Sequence, residues 1–222
     1  MNFRQLVNSL LTAIFVTVCG TSVAAAETPV TTVEGLQLVE DSKLATVYAE
    51  PGINMGQYRR IFLYDPYIAF RNDWADEQNS KNATPISDGD MARIKIELST
   101  LFQEVFAETL EDAGYELVSE RAEDVLLVKP AIINLDIVAP VVGSDDDAFT
   151  YAESAGEMTL YLELYDSVTD DLIAKAMDRQ KDRQTGYIRW QNRISNRAAA
   201  RRILQTWADV LKEGLDDARN IR

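Results

Sequence analysis

The stretch Gly156–Asp166 constrains the fold more than any other part of the chain. Met158, Leu160, Leu162 and Leu164 alternate with Glu157, Thr159, Tyr161, Glu163 and Tyr165 without a break. A period of two residues is the pattern of a strand with one packed face and one wetter face. Such strands belong to antiparallel sheets, and a slip of one residue would turn the whole apolar set to water. The turn Ser167-Val168-Thr169-Asp170-Asp171 then reverses the chain, and Leu172–Lys181 is expected to return as the hairpin partner.

Two segments carry the other period. From Met91 to Ala113, Ile94, Leu98, Leu101, Phe102, Val105, Phe106 and Leu110 recur at three and four residues, which predicts an amphipathic helix. Asp88 or Asp90 is placed to cap it, and Gly114 to close it in the left-handed conformation. A closing helix is expected over Asn196–Arg219, where Ala199, Ile203, Trp207, Val210, Leu211 and Leu215 form one stripe and Asn196 or Ser195 is the cap. Tyr58–Tyr67 reads as the first strand of the sheet, broken at Asp65-Pro66, and residues 68–90 read as a long loop. Tyr115–Val118 and Asp124–Val138 supply further strands, the second with Pro130 at an edge position or a bulge, because proline has no N–H for a ladder. The expected fold class is α/β of the α+β type: a mainly antiparallel sheet with two helices packed on one face.

The first residues read as an address. Arg4 precedes the apolar run Leu10–Val18, which is too short to cross a bilayer, and an A-x-A site ends at Ala26. Residues 1–26 are therefore expected to be a cleaved secretory signal, residues 27–57 an extended lead-in packing through Leu36, Leu38, Leu44 and Tyr48, and residues 58–222 a single domain. Cys19 offers a second route, in which it becomes the acylated first residue of a lipoprotein. Val16-Thr17-Val18 before it fits that pattern poorly, so a periplasmic protein is expected, with a lipid anchor through Cys19 as the alternative. No other apolar stretch approaches the length of a membrane span.

Composition narrows the chemistry. The 222 residues contain no His, which removes Ser-His-Asp and Cys-His nucleophile pairs and the usual zinc sites. A formal net charge of −14 argues against nucleic-acid backbones, whose recognition needs surplus Lys and Arg. No G-x-S-x-G, S-x-x-K, P-loop or G-x-G-x-x-G motif is present. Asp145-Asp146-Asp147 and the pair Asp88 and Asp90 lack the spacing of a calcium loop. Glu97, Glu104, Glu108 and Glu111 share a helix face turned to water, which does not raise a carboxyl pKa. The chain is expected to be no enzyme and to need no cofactor. The alternative is a carboxylate-dependent, metal-binding hydrolase built from the 143–147 and 88–90 loops.

Charge is strongly segregated. Between residues 179 and 202 stand eight Arg and Lys residues against Asp182 alone, with Tyr187 and Trp190 among them. Arg189, Trp190, Arg193 and Arg197 are thus candidates for pairing with, and stacking on, an anionic group, and Arg71 and Trp74 repeat the combination in the 68–90 loop. The competing reading is intramolecular, with these arginines neutralising the acidic helix. The expected partner is an envelope protein or an anionic envelope molecule, and the oligomeric state is left open.

The run Val47–Trp74 carries a Y-x-x-P-G…Y-x-x-I…D-P arrangement. With the amphipathic helix, the L-x-L-E-L-Y-D-S-x-T strand and the Trp-bearing closing helix, it resembles the domain-of-unknown-function 3313 family over about residues 35–219. The resemblance implies an exported bacterial envelope protein, in many members a lipoprotein, with no established catalytic activity. It carries no residue-specific function to this chain.

Overall fold

The computed structural model describes residues 30–81, 85–137, 150–152, 156–181, 189–191 and 193–220, with backbone alone at 150–152, 189–191, 193–196 and 220. The chain begins with the short strands β1 (Gln37–Leu38) and β2 (Thr46–Ala49) and a single 3-10 turn, Met55–Gln57. There follow β3 (Arg60–Leu63), β4 (Tyr67–Phe70), α1 (Trp74–Lys81), α2 (Asp88–Asp112), β5 (Glu116–Leu117) and β6 (Val125–Ile137). The second half comprises β7 (Thr150–Ala152), β8 (Gly156–Asp166), β9 (Leu172–Lys181), β10 (Arg189–Gln191) and α3 (Arg193–Asn220). The main sheet runs β1-β2-β9-β8-β6-β3-β5, with β4 also paired to β6; β7 and β10 form a separate antiparallel pair.

The α+β class holds, with two corrections. The sheet is mixed: β8 pairs antiparallel with β6 and β9, whereas β3, β4 and β5 run parallel to their neighbours. Helices α1 and α2 stand between β4 and β6 and carry the chain back to the end it left, so the flanking strands point the same way. There are also three described helices, because α1 occupies part of the expected 68–90 loop. Apart from Trp74 that helix has no apolar stripe, so periodicity could not announce it. The lead-in is part of the domain as well, since β2 pairs with β9 and the expected first strand is preceded by two others.

Helix α2 starts from Ser87, one residue before the expected aspartates. The Ser87 hydroxyl accepts from the Asp90 amide, and the Asp90 carboxylate accepts from the Ser87 amide at 3.0 Å, a reciprocal capping box. At its far end Gly114 has φ of 86°, and the Tyr115 and Gly114 amides close back on the Leu110 and Glu111 carbonyls. Helix α3 begins at Arg193, ahead of the expected caps.

Pro130 is neither at an edge nor in a bulge. It lies inside β6, opposite Leu162, at the level where β3 has ended and β4 has not yet begun. The Tyr64 amide donates to the Val128 carbonyl, so Val128 and, two residues on, Pro130 turn their peptide groups toward that gap. The ladder bond that proline cannot make is replaced by Gln103 of α2, whose side-chain amide donates to the Tyr64 carbonyl at 2.9 Å. The irregularity in β6 lies further on, between Ile133 and Asp136, where Asn134 takes a φ of 51°. Opposite it, Gly156 sits at φ of 138°, and a Cβ there would approach the Asp136 carbonyl to 2.5 Å.

One face of the sheet is sealed. Leu126, Val128 and Ile132 of β6, the four alternating apolar residues of β8, and Ile173 of β9 form one core with Phe102, Phe106 and Leu110 of α2 and Leu204, Trp207 and Leu211 of α3. Buried in it is the Asp178 carboxylate, 5% exposed, which accepts from Trp207 Nε1 at 2.8 Å, the Ala45 amide at 3.0 Å and Gln180 Nε2 at 2.7 Å.

Candidate functional site

The residues expected to bind a partner fall in separate places. Trp74 is 1% exposed, its ring stacked on Phe70 at 4.2 Å and its indole N–H donating to the Ile137 carbonyl at 2.9 Å. Arg71 joins the same packing: its guanidinium bonds Asp136 Oδ2 at 2.8 Å and also Glu77, tying β4 to α1 and to the end of β6. Within this geometry both residues brace a small core that Ile86 completes.

In the basic segment, Arg197 Nη2 lies 3.1 Å from Glu104 Oε2, and Arg201 bonds the other oxygen of the same carboxylate. These arginines link α3 to α2, as the intramolecular reading has it. Arg179 pairs with Glu157 across β8 and β9. The backbone of β10 sets Trp190 opposite Tyr151, and Arg193 opens α3. The side chains of Arg189, Trp190 and Arg193 lie outside the described ones, as does the acidic loop 143–147. Asp88 and Asp90 sit at the N-terminus of α2, where Asp90 serves the cap and its pKa is lowered by hydrogen bonds from Ser87. Among the described residues no three His, Cys, Asp or Glu side chains gather as a metal site would need.

The opposite face of the sheet carries the more distinctive arrangement. Cross-strand partners share a face, so Tyr161, Glu163 and Tyr165 of β8 stand beside Ala131, Lys129 and Leu127 of β6 and beside Met177 and Lys175 of β9. Phe62 of β3 lies on this face too, with its ring stacked on that of Tyr64 at 4.4 Å. Among the described residues no helix covers this side. Both tyrosine hydroxyls donate to Glu163, one to each oxygen, at 2.8 Å. Lys129 Nζ stands 4.0 Å from the Tyr165 ring centroid and 5.9 Å from that of Tyr64. Partial burial and the Glu163 carboxylate push the Tyr165 hydroxyl up to about 12 and raise Tyr161 as well. Both stay protonated at neutral pH, so the face offers ordered aromatic area and fixed hydrogen bonds rather than a proton to transfer.

The lead-in closes one end of this face. Leu36 and Tyr48 are buried there, and Glu34 Oε2 reaches Lys175 Nζ at 2.9 Å, a bond that holds the Glu34 carboxyl down at about 2. At the β5 edge of the sheet, on the side that α2 covers, a cleft of about 500 Å³ opens between Arg60, Leu63, Gln103 and residues 117–120.

Residues 30–211 match the family described as protein of unknown function, DUF3313. The chain belongs to that family. No curated protein sequence matches this DUF3313 member. Its fold is similar to a PelC dodecamer subunit from Paraburkholderia phytofirmans, at 11% identity and a TM-score of 0.39 over 75% of this chain and 96% of that one. A DUF330 protein from Xanthomonas campestris aligns at 11% identity and a TM-score of 0.38, covering 76% and 93% of the two chains. A DUF4136 family protein from Bacteroides thetaiotaomicron gives 10% identity and 0.37, over 80% and 96%.

The tyrosine face was visible in the sequence only as the wetter side of an alternating strand. The signal for it was the Tyr-x-Glu-x-Tyr spacing, which puts three side chains on one face within reach of each other. Lys129 and Phe62 come from distant segments, and only the topology brings them there.

Proposed function

We propose that this DUF3313 protein is an exported, non-catalytic component of a bacterial envelope that works by binding a protein partner, with its leader removed after Ala26. The observation that carries the reading is the uncovered sheet face. In a chain of net charge −14, this face is charge-balanced: Glu34 meets Lys175, Glu157 meets Arg179, and Glu163 is held by two tyrosines opposite Lys129. Aromatic and Met side chains with satisfied polar groups match the composition of protein interfaces. A second protein approaching there meets no surplus of like charge. The carboxylates of α2 support the same reading, since Glu104 serves Arg197 and Arg201 and Asp90 serves a cap.

The test is capture from envelope extract by the purified chain, comparing wild type with Tyr161→Ala/Tyr165→Ala and with Arg189→Glu/Arg193→Glu. Loss of a specific protein with the tyrosine pair alone is the expected result. Loss with the arginine pair alone moves the site to the basic segment and toward an anionic partner. Substrate turnover by pure protein, abolished by one Asp or Glu substitution, removes the reading altogether. Intact mass of the exported chain separates a start at Glu27 from an acylated Cys19.

A further inference from the structure

Strand β5 ends the sheet, and its pairing leaves backbone groups without partners. The Glu116 amide donates to the Arg59 carbonyl at 3.4 Å and the Val118 amide to the Ile61 carbonyl at 2.9 Å. Peptide groups alternate along a strand, so Leu117, between these two, turns its N–H and C=O away from the sheet. The ladder stops at Ile61 and Leu117. Leu63, two residues beyond Ile61, faces the same side of β3, and no hydrogen bond among the described residues reaches its N–H or C=O. The cleft of about 500 Å³ lies at this point, lined by Leu63, Leu117, Val118, Gln103, Arg60 and the exposed residues Ser119 and Glu120. That volume falls in the ordinary ~300–1,000 Å³ range of ligand clefts.

The other edge of the sheet is finished differently. Beyond β1 the chain folds over itself, with Thr31 bridged to Gln37 and the Leu38 amide donating to the Val30 carbonyl at 2.9 Å. The β5 edge has no such cover among the described residues, and no proline or lysine between Tyr115 and Val125 guards it. Of the charged residues lining the cleft, Arg60 is committed to Asp124, which leaves Glu120, with the Asp65 carboxylate beside it accepting from Gln103 at 3.0 Å.

We propose that this cleft receives an extended, Lys- or Arg-bearing segment of a partner polypeptide, which takes up the line of β5 beyond Val118 and pairs with the free peptide groups of Leu63. The proposal rests on the reading that the chain works by binding protein, and it names the segment chemistry. An extended peptide supplies donors and acceptors at strand spacing, its alternate side chains meet Leu63 and Leu117, and its cations meet the acidic rim.

The test uses the full exported chain with three capped probes: the hexapeptide Lys-Val-Lys-Val-Lys-Val, its Glu-for-Lys counterpart, and a version with proline at both inner valine positions. The first is expected to bind at least tenfold more tightly than either of the others and to slow hydrogen exchange at the Leu63 amide. S119W, which fills the cleft from an exposed position, is expected to weaken binding at least tenfold, while V39W at the opposite edge leaves it unchanged. Equal binding of the Lys and proline peptides, unchanged exchange at that amide, or indifference to S119W overturns the proposal. Concentration-dependent protection of the same amide without peptide also overturns it, by making a second copy the occupant. Partner capture that survives S119W but needs Tyr161 and Tyr165 sinks the cleft and leaves the proposed function standing. Capture of nothing, with peptide binding intact, does the reverse.

Discussion

The two faces of the sheet are built from the same strands and do different work. On one, Leu160 and Leu162 lie beneath α2 and α3 with Val128, Phe102 and Trp207. On the other, Tyr161, Glu163 and Tyr165, interleaved with those leucines, form a hydrogen-bonded row under no described helix. The first face gains stability from water excluded around tightly packed apolar groups. The second uses hydrogen bonds and ring contacts that leave the side chains half exposed, an arrangement that holds a surface in shape and adds little to stability. Dense packing marks what the fold needs, whereas ordered but uncovered aromatic residues mark what it can offer.

Truncation on each face gives the sharpest contrast. Phe102 is fully buried and stacked on Phe106 at 3.9 Å, so Phe102→Ala should cost roughly 3–5 kcal/mol. Tyr161→Ala, on the half-exposed row, should cost about 1 kcal/mol. Urea unfolding with unchanged slope measures both. Equal losses would make the tyrosine row a structural element and end its claim as a binding surface.

Asp178 is the polar exception on the sealed face. Asp178→Ala strands the Trp207 indole N–H and the Ala45 amide, and should cost about 1–3 kcal/mol. A shift of the urea midpoint is the measure, together with changed Trp207 emission as the indole loses its acceptor. The residue also ties the Leu44–Ala45 stretch to α3, so its loss should raise hydrogen exchange at Thr46 and Val47. A stable variant with unaltered emission would mean that other groups or water take over both donors.

Where local rules decide the structure, the sequence could be read. The alternation of β8, the stripe of α2 and the closing glycine at 114 each follow from period and backbone preference, and each lies where expected. The parallel pairing of β3 and β4 with β6 is set by a crossover spanning more than fifty residues, to which no local pattern points. Pro130 shows the limit from the other side. Its missing N–H was legible, yet its interior position depends on Gln103 arriving from another element to bond Tyr64. Of the six candidate site residues, Arg71 and Trp74 look functional in sequence because Arg beside Trp suits anion recognition. In the fold the indole goes inward to Ile137, and the guanidinium is shared by Asp136 and Glu77. The open face is not legible as a site because Lys129 and Phe62, which stand beside the β8 row, come from β6 and β3.

A subtler change tests how the row is held. Glu163→Gln keeps the shape and removes the charge that both tyrosine hydroxyls face. The Tyr165 hydroxyl should fall from about 12 toward, but not to, the ordinary tyrosine value of 10.0, because partial burial, the largest single cause of its elevation, remains. Spectrophotometric titration reads this directly, and the stability change should stay within about 1 kcal/mol. An unmoved tyrosine titration would place the whole elevation in burial and deny Glu163 its ordering role.

The smallest effect concerns the end of the open face that the lead-in closes. The Lys175 bond, helped by Thr32, holds Glu34 at about 2 against an ordinary value of 4.5. A carboxyl whose pKa is lowered by folding stabilises the folded state fully above its unfolded pKa, and the contribution disappears as pH falls through the folded one. The window is therefore between pH 4.5 and about 2, and acidification across it should loosen residues 31–38 from β9 while the sealed core persists. Both partners are solvent-accessible, so the change belongs in local amide exchange at Leu36 and Leu38 rather than in global unfolding. Lys175→Ala should move the Glu34 titration up from about 2 toward 4.5, as followed by carboxyl-carbon NMR, with hydrogen bonds from Thr32 and the Glu34 backbone holding what lowering remains. A Glu34 titration that stays near 2 in that variant would show that the turn, not the lysine across the sheet, holds the carboxylate, and the lead-in would then rest on Leu36 and Tyr48 alone.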